Sequence, residues 1–138
     1  MELSKTMERK LNNLTKILER LCKEAACGTP ILVEGKKDVE ALRKLNILCT
    51  TITVKDSGKV LEDVLEEVRS AEVIVFVDFD RHGSELAKKI LYQLEHRRVK
   101  ANLVFWRMIR ALVRRDVKDV EGLPSYIESL KEEAKPTA

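Results

Sequence analysis

Apolar side chains at Met7, Leu11, Leu14, Leu18, Leu21 and Ala25 recur in steps of four and three, which predicts one stripe on a long helix from about Ser4 to Ala26. Ser4 or Thr6 is placed to cap its start, and Gly28 and Pro30 stop it. The stripe suits packing on the chain's own domain or a dimer seam. Packing is preferred, because a sustained coiled coil would carry a longer repeat. After it the pattern changes. Ile31 to Val33 is a short apolar run ending at Glu34-Gly35, followed by a helical face of Val39, Leu42 and Leu45. Thr50 to Val54 is β-branched and closes on Lys55-Asp56-Ser57-Gly58. Leu61, Val64, Leu65 and Val68 mark another helix.

Val73 to Val77 is an unbroken apolar run, the pattern of a central parallel strand covered on both faces, and it leads directly into Asp78-Phe79-Asp80. Gly83 is expected to open the next helix, with Leu86, Ile90, Leu91 and Leu94 as its core face. Asn102 to Phe105 reads as a fourth strand, then Ile109, Leu112 and Val113 as a short basic helix. Leu123, Tyr126, Ile127 and Leu130 form a terminal helix begun near Pro124. Strands alternating with helices predict an α/β fold with a four-stranded, mostly parallel sheet flanked by helices. The expected division is an amphipathic helix over 1–28, packed on the core or in a dimer, one domain over 29–133, and a frayed tail over 134–138.

Composition narrows the class only a little. At 138 residues with 44% hydrophobic content, one domain can bury a core without staples. Lysine and arginine number 26 against 23 acidic residues, a net charge of +3 that is compatible with a polyanionic partner but does not identify one. Cys22, Cys27 and Cys49 form no paired ligand motif and read as free thiols. No stretch is long and apolar enough for a signal or a membrane span, so the expected location is the cytoplasm, without a membrane partner.

The candidate chemistry lies at the strand ends, where ligands bind in open α/β sheets. Glu34 ends the first strand and Asp78 the third. Asp80 follows two positions on, facing the same way as Asp78 if the chain stays extended. Three carboxylates converge only if a cation or a raised pKa compensates, and oxygen ligands suit Mg2+, with Mn2+ as an alternative, held against phosphate. Lys36, Lys37, Arg81 and Gly83 are candidate phosphate-binding residues, the last through a helix N-terminus. His82 is a candidate proton donor. Arg107, Arg110, Arg114, Arg115 and Lys118 offer a nucleic-acid surface, diluted by Asp116, Asp119 and Glu121, with Trp106 or Phe105 available to stack on a base. Glu34-Gly35-Lys36 lacks the glycine spacing of a nucleotide P-loop, and His82 does not fit the aspartate motif of haloacid-dehalogenase phosphatases.

Leu32-Val33-Glu34-Gly35-Lys36-Lys37-Asp38 and Val77-Asp78-Phe79-Asp80-Arg81-His82-Gly83 resemble the two signature motifs of the Toprim domain, shared by topoisomerases, bacterial-type primases and the ribonuclease that matures 5S ribosomal RNA. The resemblance spans roughly Ile31 to Phe105 and implies a Rossmann-like Toprim fold with an added N-terminal helix. It implies Glu34 as general acid or base, or metal ligand, and Asp78 and Asp80 as Mg2+ ligands, all three in the catalytic group. Arg81 and Gly83 match residues after the paired acids in type IA topoisomerases. Phe79 replaces a frequent proline, and Ser84 stands where those enzymes have glutamate, with the auxiliary candidate Glu85 displaced by one. Tyr92 and Tyr126 are not read as a topoisomerase nucleophile. Lys118 to Gly122 is loosely similar to a late acidic motif of the 5S-maturing ribonuclease. The implied function is Mg2+-dependent phosphodiester chemistry on RNA or DNA, first of all as a nuclease, with a phosphotransferase also within the class. The alternative is a non-catalytic nucleic-acid-binding or scaffolding protein, and a homodimer or protein partner is compatible with both.

Overall fold

A computed structural model describes residues 2–134. Helix α1 (Glu2–Ala26) precedes β1 (Ile31–Val33), α2 (Lys36–Lys44), β2 (Thr51–Thr53), α3 (Leu61–Glu66), β3 (Glu72–Val75), α4 (Arg81–His96), β4 (Lys100–Asn102), α5 (Val104–Val113) and α6 (Leu123–Ala134). The strands form one sheet in the order β2-β1-β3-β4, and every pairing is parallel. Ile31 lies opposite both Thr51 and Ile74, so β1 and β3 sit at the centre and end side by side. Right-handed crossovers then put α2 on one face and α3 and α4 on the other.

Burial follows from that placement. Val73, Ile74, Val75, Phe76 and Val77 are fully buried, as are Ile31, Leu32 and Val33, because helices cover both faces of the central strands. Leu14 and Leu21 are also fully buried, and α1 packs against α5 and α6 within the same chain. Gly28 ends α1 at φ 103°, a left-handed conformation that a side chain resists. Among the described residues no helix is long and apolar enough to cross a membrane, and the three cysteines are free thiols.

Several sequence expectations move. Helix α1 begins at Glu2, so Ser4 and Thr6 lie inside it rather than at its start. The fourth strand is Lys100–Asn102, and Leu103 to Phe105 is not strand but the entry into α5. Asn102 Oδ1 accepts the Val104 N–H at 3.0 Å, and that side-chain bond turns the chain from strand to helix where apolar content alone suggested continued extension. Helix α4 opens at Arg81 with Asp80 as its cap, not at Gly83. At the end, α6 runs through Ala134, and the rest of the tail, 135–138, lies outside the described residues.

Candidate functional site at the strand ends

Because β1 and β3 are neighbours, the residues that follow them meet. Glu34 is only 2% exposed, and its Oε2 accepts the backbone N–H of Asp78 at 2.9 Å. Its Oε1 is buried without a hydrogen-bond donor. Lys55 Nζ lies 3.1 Å from that oxygen, but outside the angles of a directed hydrogen bond, so the contact is an ion pair held by charge. Lys55 gets there because the β1–β2 ladder continues past both strands. Val54 N–H donates to Val33 O and Lys55 N–H to Glu34 O, at 3.2 and 2.8 Å. His82 Nδ1 stands 3.9 Å from the same oxygen on an exposed side chain.

The Asp78-Phe79-Asp80 turn is held from the C-terminal third of the chain. Val120 N–H donates to Asp78 Oδ1 at 3.1 Å, and Phe79 N–H donates to Lys118 O at 2.8 Å. Trp106 Nε1 donates to Asp78 O at 3.1 Å and Arg110 Nε to Phe79 O at 3.0 Å. Beneath the turn, a Cβ on Gly83 would sit 1.9 Å from Asp78 O, so glycine is needed for α4 to approach this closely. Asp80 Oδ1 accepts the Gly83 N–H at 2.8 Å and caps α4. That bond occupies one oxygen of the carboxylate that an extended chain would have aimed alongside Asp78.

Charge crowding marks the pair. Burial pushes the Asp78 carboxyl up to about 7, with the Glu34 charge, a side-chain hydrogen bond to Glu34 and the Asp38 charge adding to the rise and the Val120 N–H opposing it. Burial also raises Asp38, against the stabilising N–H of Gly35, which donates to Asp38 Oδ2 at 3.0 Å and orders the start of α2. Lys55 is raised, first by its contact and charge interaction with Glu34 and then by Asp78 and Asp38.

The remaining predicted residues spread around this centre. Lys36 is exposed, and its backbone N–H donates to Asp56 Oδ2. Lys37 Nζ lies 4.0 Å from Glu121 Oε1, and Arg81, with a side chain 94% exposed, lies 3.5 Å from Glu85 Oε1. Arg107, Arg114, Arg115 and Lys118 are exposed. Arg110 instead stacks over the Trp106 ring at 5.4 Å while bonding Phe79 O. Phe105 and Trp106 are both buried, so neither presents a face for a base, which corrects that expectation. Sequence reasoning missed Lys55, Asp38 and the Val120 N–H. Lys55 depends on ladder register and Val120 on a loop returning from far along the chain, whereas Asp38 stands in the glutamate motif itself.

Among the described residues no three histidine, cysteine, aspartate or glutamate side chains are grouped to hold a metal ion. The two carboxylates, one buried oxygen without a directed hydrogen bond and a carboxyl displaced upward by burial and by its neighbour nonetheless fit a hard divalent cation. Such an ion takes one or two protein carboxylates and fills its shell with water and phosphate oxygens.

Comparison with known proteins agrees with this architecture. The Toprim domain family matches residues 29–105. A UPF0292 protein of Methanocaldococcus jannaschii is 39% identical over 115 residues, covering 83% of this chain and 89% of its own length. UPF0292 proteins of Thermococcus kodakarensis and Pyrococcus furiosus are 36% and 35% identical, covering 80% and 84% of this chain and 83% and 85% of their own. A solved structure of a protein from Aquifex aeolicus superposes with a TM-score of 0.61 at 30% identity, over 77% of this chain and 94% of that one. With a Toprim domain over its central residues and close likeness to these archaeal relatives along most of its length, the chain belongs to the UPF0292 family of Toprim proteins.

Proposed function

We propose that this protein carries out Mg2+-dependent phosphodiester chemistry on nucleic acid, as a nuclease acting on RNA or DNA. The Toprim fold points to nucleic-acid biochemistry in general. The carrying observation for the finer reading is the buried Glu34–Asp78 pair, with Glu34 Oε1 taking no directed hydrogen bond and facing only the Lys55 and His82 side chains. Glu34 and Asp78 would hold the ion, with Asp80 offering the oxygen its helix cap does not use. When bound, the ion supplies charge neutralisation at a phosphate oxygen. Glu34 would meet the ion through Oε1, because its Oε2 is taken by the Asp78 N–H. Lys36, Lys37 and Arg81 extend from the starts of α2 and α4, where their exposed charges can meet a phosphate backbone.

The test uses purified protein with labelled single-stranded and structured RNA and DNA, in Mg2+ or Mn2+. Cleavage is expected for the wild type and is lost in Glu34→Gln and Asp78→Asn. Equal cleavage by all three would place the reaction elsewhere. One observation favours a second reading, binding without cleavage: Asp80 is engaged as a helix cap. That reading expects nucleic acid to bind the wild type and both variants alike, with no product in any.

A further inference from the structure

Lys55 lies outside both sequence motifs, yet it is the cation closest to the buried carboxylate at the centre of the site. Its backbone is fixed by the Lys55 N–H to Glu34 O bond, and the next residue, Asp56, ties the loop back to α2 by accepting the Lys36 N–H. Its tip reaches solvent. The side chain is 59% exposed, and its contact with Glu34 Oε1 is an ion pair rather than a directed hydrogen bond. Glu34 Oε2, in contrast, is locked on the Asp78 N–H. One oxygen is therefore structural and the other is paired with a charge on a flexible four-carbon stem, which leaves without breaking any other bond.

We infer that Lys55 is the resident counter-ion of the Glu34–Asp78 pair, a positioning residue that a divalent cation must displace from Glu34 Oε1 on binding. The inference rests on the metal reading of the preceding section and adds a residue that competes with the metal. Two positive charges cannot share one buried oxygen without repulsion, so Lys55 weakens the ion's affinity while keeping the carboxylates apart from one another's charge in its absence.

Mn2+ titration of metal-stripped protein at neutral pH, followed by electron paramagnetic resonance, tests this directly. Lys55→Met, which keeps the stem and removes the charge, is expected to bind Mn2+ about tenfold more tightly than wild type. Lys55→Arg is expected to match wild type. Lys59→Met removes the same net charge from the same loop, where Lys59 pairs with Glu67, and is expected to leave the affinity unchanged. The Lys55→Met gain should also vanish on a Glu34→Gln background, the signature of direct coupling. Circular dichroism establishes that each variant is folded. Equal Mn2+ affinity in wild type and Lys55→Met overturns the counter-ion role and leaves the metal reading standing. Absence of Mn2+ binding in every form, up to millimolar concentration, overturns both.

Discussion

The backbone N–H of Val120 donates to the Asp78 carboxylate at 3.1 Å across 42 positions of sequence, so the loop before the last helix completes the candidate site. Phe79 N–H to Lys118 O runs beside it, and Trp106 and Arg110 hold the carbonyls of the same turn. These partners lie beyond residue 105, where the Toprim match ends. The C-terminal helices thus position acids that the central domain supplies, and α1 supports them by packing on α5 and α6.

Asp78 should make stability depend on pH. Its carboxyl is raised from 3.8 to about 7 in the folded chain, so through that window the folded state binds more protons than the unfolded one. Stability from this group is present at low pH, falls as pH rises toward 7 and levels off above it. In excess chelator, Asp78→Asn is expected to melt close to wild type at acidic pH and above it at alkaline pH. Melting curves at a series of pH values check this, and a variant that loses stability as steeply as wild type would refute it.

Gly83→Ala is expected to cost about 3 kcal/mol or more, because the new Cβ would overlap Asp78 O in a turn fixed by several hydrogen bonds. Gly58→Ala is the comparison. Gly58 has φ 71° and open space around it, so only the left-handed conformation is penalised, at about 1 kcal/mol. Urea midpoints of the two variants should rank in that order, and a Gly83→Ala protein as stable as Gly58→Ala would contradict the close approach.

Removing the indole N–H by Trp106→Phe leaves Asp78 O without its side-chain donor and should cost about 1–3 kcal/mol. Far-ultraviolet circular dichroism during denaturation is the suitable measure, since the chain has one tryptophan and fluorescence is lost with it. An unchanged midpoint would mean that the bond contributes nothing to the turn.

Leu21→Ala in α1 is expected to destabilise the protein by about 2–5 kcal/mol, since Leu21 is fully buried within the chain's own core. The loss should be the same at low and high protein concentration. A cost that appears only at high concentration, with a shift in sedimentation, would instead put this stripe in a dimer seam.

Local pattern by itself determined most of the elements. The stripe of α1, the apolar runs of β1 and β3, and the acids placed after them are all properties of neighbouring residues, and periodicity encodes neighbours. The same local signals misread Leu103 to Phe105, where apolar and aromatic residues suit a strand or a buried helix and the Asn102 side-chain bond to the Val104 N–H decided. They were equally blind to the use of Asp80, because an aspartate before a helix looks the same as a cap or as a ligand. Only the tertiary structure set the order β2-β1-β3-β4, the register that lays Lys55 beside Glu34 and the loop that brings Val120 to Asp78. Those relationships are contacts between residues distant in sequence. They are chosen by which packing buries the most apolar surface and pairs the most backbone groups, a competition settled over the whole chain and not within any segment of it.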